Sequence, residues 1–292
     1  MPTVWYTGSL YAPSPAYPQG SLSLEPYVQV TDPWQRFDSK GRISPAPGQK
    51  TLVQYSVVKY GITDRLALNS LPTLTKSWGH GQQATGDQFN DLPLELQYNL
   101  IKANPTHYKP SFTVYLGFIA PTGAYRGLAK PQSGVGTGAW FMRFGLQSQS
   151  LYNVFGHGAR LRVWVQERQP VSSPHLHDIT SYGTTTGFEG TAHPGAFGNE
   201  GFSLEFGFTK RLVAALDLYG TWSGSNRVDG VYAKTNSRIS THSGWSTSYN
   251  IGPALEYSWT PNMGILSGII IPFSGHNTSR SLMPQVALNL FF

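Results

Sequence analysis

Between Leu92 and Leu100 the chain alternates strictly. Leu92, Leu94, Leu96, Tyr98 and Leu100 fall on one face of an extended segment, and Pro93, Glu95, Gln97 and Asn99 on the other. A strand turns successive side chains to opposite faces, so this segment asks for an apolar medium on one side and a polar one on the other. The pattern recurs at 22–30, 51–60, 66–74, 112–118, 140–146, 161–165, 202–208, 214–218, 249–259, 265–271 and 286–292. That makes about twelve strands.

The connections alternate in length. Tight ones are read at 61–64, around Asn104-Pro105, at Gly156-His157-Gly158, at Thr209-Lys210-Arg211 and at Thr260-Pro261-Asn262. Long polar ones are read at 79–91, 121–137, 169–199, 223–243 and 274–280. Both chain ends fall on the tight-turn side. An even number of antiparallel strands, with short turns at one rim and long loops at the other, is the pattern of outer-membrane barrels. A soluble β-sandwich also alternates, so the loop lengths and the chain end decide for the membrane. Val286, Leu288, Leu290 and Phe292 share one face of the last strand, with Gln285, Ala287 and Asn289 on the other. Phe291 breaks that polar face.

Composition agrees. Charged residues make up 12% of the 292, about half the 25% or so of ordinary domains. No run approaches the roughly 20 apolar residues of a spanning helix. The absence of cysteine removes disulfides, thiolate catalysis and Cys-ligated metals. The net charge of +6 is spread thinly, without the basic runs of a nucleic-acid arm. The expectation is one barrel domain over residues 1–292, with 1–19 as an N-terminal periplasmic extension. Met1-Pro2-Thr3-Val4-Trp5 has no signal-peptide pattern, so an exported form has lost its signal peptide.

Three stretches carry a family likeness: 60–66 (Tyr60-Gly61-Ile62-Thr63-Asp64-Arg65-Leu66), 117–123 (Gly117-Phe118-Ile119-Ala120-Pro121-Thr122-Gly123) and 134–138 (Gly134-Val135-Gly136-Thr137-Gly138). They resemble the bacterial outer-membrane proteins grouped as the MetA-pathway of phenol degradation family, over about residues 20–292. The resemblance implies a β-barrel, an outer-membrane location and uptake of small, including aromatic, compounds. It carries over no site residues.

An Arg or Lys facing lipid at the midplane costs about 2–4 kcal/mol, so mid-strand charges are expected to point inward. The expected lumen and selectivity residues are Glu95, Gln97, Tyr115, Arg143, Arg160, Arg162, Trp164, Glu205, Asp217, Tyr219 and Glu256. They would either line a narrow pore or neutralise one another in a packed interior. Tyr60, Trp78, Tyr98, Trp140, Trp222, Tyr257, Trp259 and Phe292 lie near strand ends, where interfacial girdles form. The expected function is passive passage of small solutes, aromatic or hydrophobic ones among them, with no cofactor and no nucleic acid. Expected partners are membrane lipids and lipopolysaccharide, the solute, and the barrel-assembly machinery through the C-terminal strand.

An outer-membrane lipid hydrolase needs a Ser–His–Asn or Asp constellation, and His276, Asn277, Ser279, His242 and Ser243 are the nearest material. A surface-binding barrel would use 169–199. His175-x-His177 lacks a third ligand for zinc and reads as a solvated loop. Gly134-x-Gly136-x-Gly138 precedes a strand and opens no helix, so it is not a phosphate loop.

Overall fold

The computed structural model describes residues 3–79, 81, 83–104 and 108–292. Pro105 of the expected second turn lies outside them. The strands are β1 (Leu22–Phe37), β2 (Ile43–Pro45), β3 (Lys50–Gly61), β4 (Leu66–Ser70), β5 (Thr73–Trp78), β6 (Gln88–Phe89) and β7 (Leu92–Ile101). There follow β8 (Ser111–Ala120), β9 (Phe141–Val154), β10 (His157–Pro170), β11 (His175–His177), β12 (Phe188–His193) and β13 (Phe197–Gly207). The last are β14 (Leu212–Ser223), β15 (Arg227–Tyr232), β16 (Ser237–His242), β17 (Ser246–Thr260), β18 (Met263–His276) and β19 (Thr278–Phe291).

Twelve antiparallel spans close a ring, with β4 and β5 forming one span and β6 and β7 another. The ring seals where β1 pairs both with β19 (Tyr27 opposite Ala287) and with β3 (Tyr27 opposite Tyr55). β4 and β5 stay in one register against β3 through Leu71-Pro72, because the Ser56 amide still bonds the Pro72 carbonyl at 3.1 Å. On their other side the step from Ser70 to Leu74 faces the longer step from Phe89 to Leu94. The extra residue is a bulge at Asn90-Asp91, which re-aims a side chain out of the ladder. Asp91 thereby receives the Gly123 amide (2.9 Å) and the Thr137 amide and hydroxyl (2.7 and 2.6 Å).

The barrel is apolar outside and polar within. Leu116 and Leu255 are 58% and 59% exposed, with Leu96, Phe144, Leu146, Val163, Val165, Phe202 and Leu204 in the same belt. Gln97, Thr113, Arg162, Glu205 and Glu256 are buried. Full burial of a Leu or Phe is worth about 1.5–3 kcal/mol, so a dozen half-exposed ones forfeit about 9–18 kcal/mol in water. That matches or exceeds the about 5–15 kcal/mol stability of a whole domain. Lipid removes the penalty. Among the described residues no helix is long and apolar enough to cross a membrane; the strands cross it.

One rim carries the tight turns, such as Phe155-Gly156 and 208–211; the other carries the long connections. Three of these connections differ from expectation. Residues 169–199 and 223–243 are not loops throughout, since β11, β12, β15 and β16 form a separate four-stranded sheet in that order. It has its own small core of Leu176, Phe188, Ala192 and Val228. Its strands are three to six residues long, too short for alternation to show. Residues 274–280 are likewise not a loop. β18 and β19 run on to a reversal at Asn277, whose φ of 50° is a left-handed conformation that Asn tolerates.

Placing Arg at Leu116 tests the belt. It should cost about 2–4 kcal/mol in urea titrations of the barrel refolded into phosphocholine vesicles. Little change would mean that Leu116 does not face the hydrocarbon.

Two exposed carboxylates tie the outer sheet. Asp178 accepts the Gly187 amide at 2.8 Å and sits beside His177, and both hold it below the usual carboxylate range. Asp229 is lowered by the Ser240 hydroxyl at 2.7 Å and then by Arg227 and His193. A lowered folded pKa stabilises above the unfolded value, about 4, and that stabilisation is lost as pH falls further. Amide protection in β12 and β15 should hold from neutral pH down to about 5 and decline below about 4. Protection in β8 should not follow, and a parallel decline there would reject the local origin.

Candidate functional site: an occupied lumen

Residues 3–19 do not extend away from the barrel. Most of this segment folds into it, entering and leaving at the tight-turn rim. Trp5 is held at entry, its amide on the Lys210 carbonyl at 2.8 Å and its ring under the Lys210 ammonium. Thr7 donates its amide and hydroxyl to Glu256 Oε2 at 2.7 and 3.0 Å, and its carbonyl accepts from Asn289 at 2.9 Å. The Leu10 carbonyl accepts from Gln285 at 3.1 Å, and the Tyr11 amide donates to Asp217 at 2.8 Å.

The chain then turns back. Arg162 Nη1 donates to the Ala12 and Pro13 carbonyls at 3.1 and 3.2 Å. Lys59 Nζ donates to the Ser14 and Pro15 carbonyls at 2.8 and 3.0 Å. Asn99 closes both ways on Ala16, and the Gly20 amide reaches the Gly61 carbonyl at 2.8 Å.

The sequence of the segment dictates this wall. Its first limb has amides to donate, and carboxylates receive them. Its second limb has Pro13, Pro15 and Pro18, which lack an N–H, so its carbonyls dominate and cations meet them. Small residues make room. A Cβ on Gly264 would lie 2.2 Å from Thr7 Cγ2, and one on Gly268 2.8 Å from Leu10 Cδ1. Phe291, the misfit of the last strand, points inward and meets Tyr17 edge-on at 5.4 Å.

All eleven expected lumen residues lie on the inner face. Glu205 is buried between Arg160 and Arg162, the latter at 2.8 Å. Arg143 pairs with Glu95 at 3.0 Å, and Asn69 and Gln97 donate to the same carboxylate at 2.9 and 2.8 Å. Tyr115 bonds Gln147 and Trp164 bonds Asn199, both at 2.9 Å. Tyr11, from this N-terminal segment that plugs the lumen (the plug), stacks on Tyr219 at 3.9 Å. Asp217, Glu256 and Arg162 are therefore engaged in holding the plug.

A cavity of about 700 Å³ remains beside the plug. Its lining reaches from Arg168 and Asn199 near the long-loop rim to Pro261 and Asn262 in a tight turn of the opposite rim. It has two kinds of wall. Val53, Tyr55 and Val57 of β3, Tyr27 of β1, Ile270 of β18 and Met283 of β19 make an apolar side. Glu95 of β7, Arg143 of β9 and Arg162 and Arg168 of β10 make a charged one. Tyr27 and Tyr55 stack at 4.6 Å. Sequence reading missed Lys59, Tyr27, Tyr55 and Arg168. Around β3 the inward face is itself apolar, so alternation gives no contrast there.

Of the expected girdle, Tyr60, Tyr98, Trp140, Tyr257, Trp259 and Phe292 are exposed, and Trp78 and Trp222 are half-buried. The stretches that carry the family likeness have structural roles. Thr63 Oγ1 caps the turn by accepting the Arg65 and Leu66 amides. Gly61 lets the plug leave, since a Cβ there would lie 1.9 Å from the Pro18 carbonyl oxygen. Gly123 and Gly136 pack backbone to backbone under the Asp91 clasp.

His175 and His177 belong to β11 and not to a loop, and each faces its own carboxylate, Glu189 and Asp178. The His276 ring bonds Thr247, Asn277 bonds the Trp245 carbonyl, and Ser243 bonds Asn226 and Gly244. Each of these three side chains thus bonds a group outside the expected Ser–His–Asn set.

The whole barrel superposes on an outer membrane channel from Pseudomonas putida F1 with a TM-score of 0.66 at 16% identity, covering 98% of this chain and 99% of that one. The fold is that of an outer-membrane β-barrel. A looser match is CymD, a monoaromatic hydrocarbon channel, with a TM-score of 0.46 at 10% identity over 94% and 89% of the two chains. No protein-family model matches the sequence, and no curated protein does.

Arg162→Met tests the anchoring of the plug. It strips two plug carbonyls of their donor and breaks a buried pair, a change that costs about 3–5 kcal/mol. Amide exchange at Tyr11 and Ala16 should rise at least about tenfold, the equivalent of about 1.4 kcal/mol, with Leu116 unaffected. Unchanged exchange at Tyr11 would reject the anchor.

Proposed function

We propose that the protein is a passive outer-membrane channel for small solutes, aromatic or hydrophobic ones among them. The observation that carries this reading is the cavity beside the plug, whose lining residues come from both rims of a membrane-type barrel. A barrel filled solidly by side chains would leave no such space. The apolar wall of Val53, Tyr55, Val57, Ile270 and Met283 favours solutes with an apolar body. In this reading the tight-turn rim is periplasmic and the four-stranded sheet extracellular. Exposed rim aromatics sit at the lipid interfaces, and the C-terminal strand β19 is what the assembly machinery reads. The likeness to the MetA-pathway of phenol degradation family supports the same solute class.

The plug sets the conductance. Purified protein in planar bilayers should give discrete steps, and a variant lacking residues 3–18 should give larger ones. No steps from either form, with the barrel folded, would overturn the channel reading.

A further inference from the structure

Arg168 and Arg143 stand directly opposite each other on β10 and β9, both facing the cavity near the long-loop rim. Like charges directly opposite on neighbouring strands repel. Arg143 has Glu95 at 3.0 Å, and the Gln166 amide oxygen accepts from its Nη2 at 3.3 Å. Arg168 has no carboxylate partner among the described residues. Its guanidinium lies over the Phe197 ring at 4.8 Å. The neighbouring cations are already engaged, Arg160 and Arg162 with Glu205 and Lys59 with Ser14 and Pro15. One side of the cavity mouth therefore carries a surplus positive charge held in place by an aromatic ring.

Planar guanidinium groups are suited to carboxylates, which they bind through paired N–H donors. Beyond the two arginines the same cavity offers flat faces, the stacked Tyr11–Tyr219 and Tyr27–Tyr55 pairs, and the aliphatic wall of β3. The volume of about 700 Å³ falls within the range of small-molecule sites, about 300–1,000 Å³. We infer that the cavity binds a small aromatic carboxylate, its anionic group between Arg143 and Arg168 and its ring against the tyrosines. This deepens the channel reading by naming a solute class, and it rests on that reading for the site's place on a path.

The test is calorimetric titration of the full-length protein, folded in detergent, with benzoate, benzyl alcohol and acetate. Benzoate should bind saturably and more tightly than either of the others, each of which has one half of the recognised chemistry. Arg168→Gln should weaken benzoate at least about tenfold, the loss of a hydrogen bond to a charged group. Tyr219→Leu should weaken benzoate without changing acetate, and the gel mobility of the folded barrel certifies each variant. Equal affinity for benzoate and acetate, or benzoate binding untouched by Arg168→Gln, would overturn the site. The two readings separate cleanly. Conductance without benzoate binding rejects the carboxylate site alone, and benzoate binding without conductance rejects the channel alone.

Discussion

Hydrocarbon offers a backbone amide nothing to bond, and the architecture follows from that constraint. A strand that crosses lipid must find a neighbour on both edges, so the sheet can end only by meeting itself. Here the meeting is β1 against β19 on one side and β3 on the other. Closure puts one face of every strand in lipid and the other in a confined interior. The exterior must then be apolar, and each charge along a strand is driven inward.

The interior has its own difficulty. Twelve spans enclose more room than their own side chains fill, yet the inward charges are too close together to stay uncompensated. The N-terminal segment answers both needs by bringing a row of backbone amides and carbonyls to the walls. Carboxylates of β14 and β17 take amides from one limb, and cations of β3 and β10 take carbonyls from the other. Prolines divide the limbs by removing donors where cations wait. Four charges that appear scattered along the strands, Lys59, Arg162, Asp217 and Glu256, are together a complement to one short peptide.

The barrel was largely legible in the sequence, because period-two alternation is local and lipid keeps the outer face apolar along most spans. All twelve expected segments fall on the spans, and three of them (140–146, 202–208 and 286–292) overrun a strand end by one residue. The plug was not legible, since its bonds join residues such as Thr7 and Glu256 that stand 249 apart. Its traces were present as irregularities: an inward Phe291 with no polar excuse, and glycines at 264 and 268 inside a strand. The outer sheet escaped for a different reason. Its strands are short, and their neighbours come from two separate loops, so no single stretch shows a pattern.

The position of the plug in the chain has a consequence for how the molecule is made. The segment that fills the interior is synthesised before any wall exists, while Glu256, Gln285 and Asn289, which hold it, come last. The plug runs directly into β1, the strand that β19 must find to seal the ring. Its final bonds therefore cannot form until the closing strands arrive, and contacts this distant in sequence form slowly. Filling and sealing are thus one late event, and a barrel that shuts before the peptide is inside would leave Asp217, Glu256 and Lys59 buried without the groups that they bond.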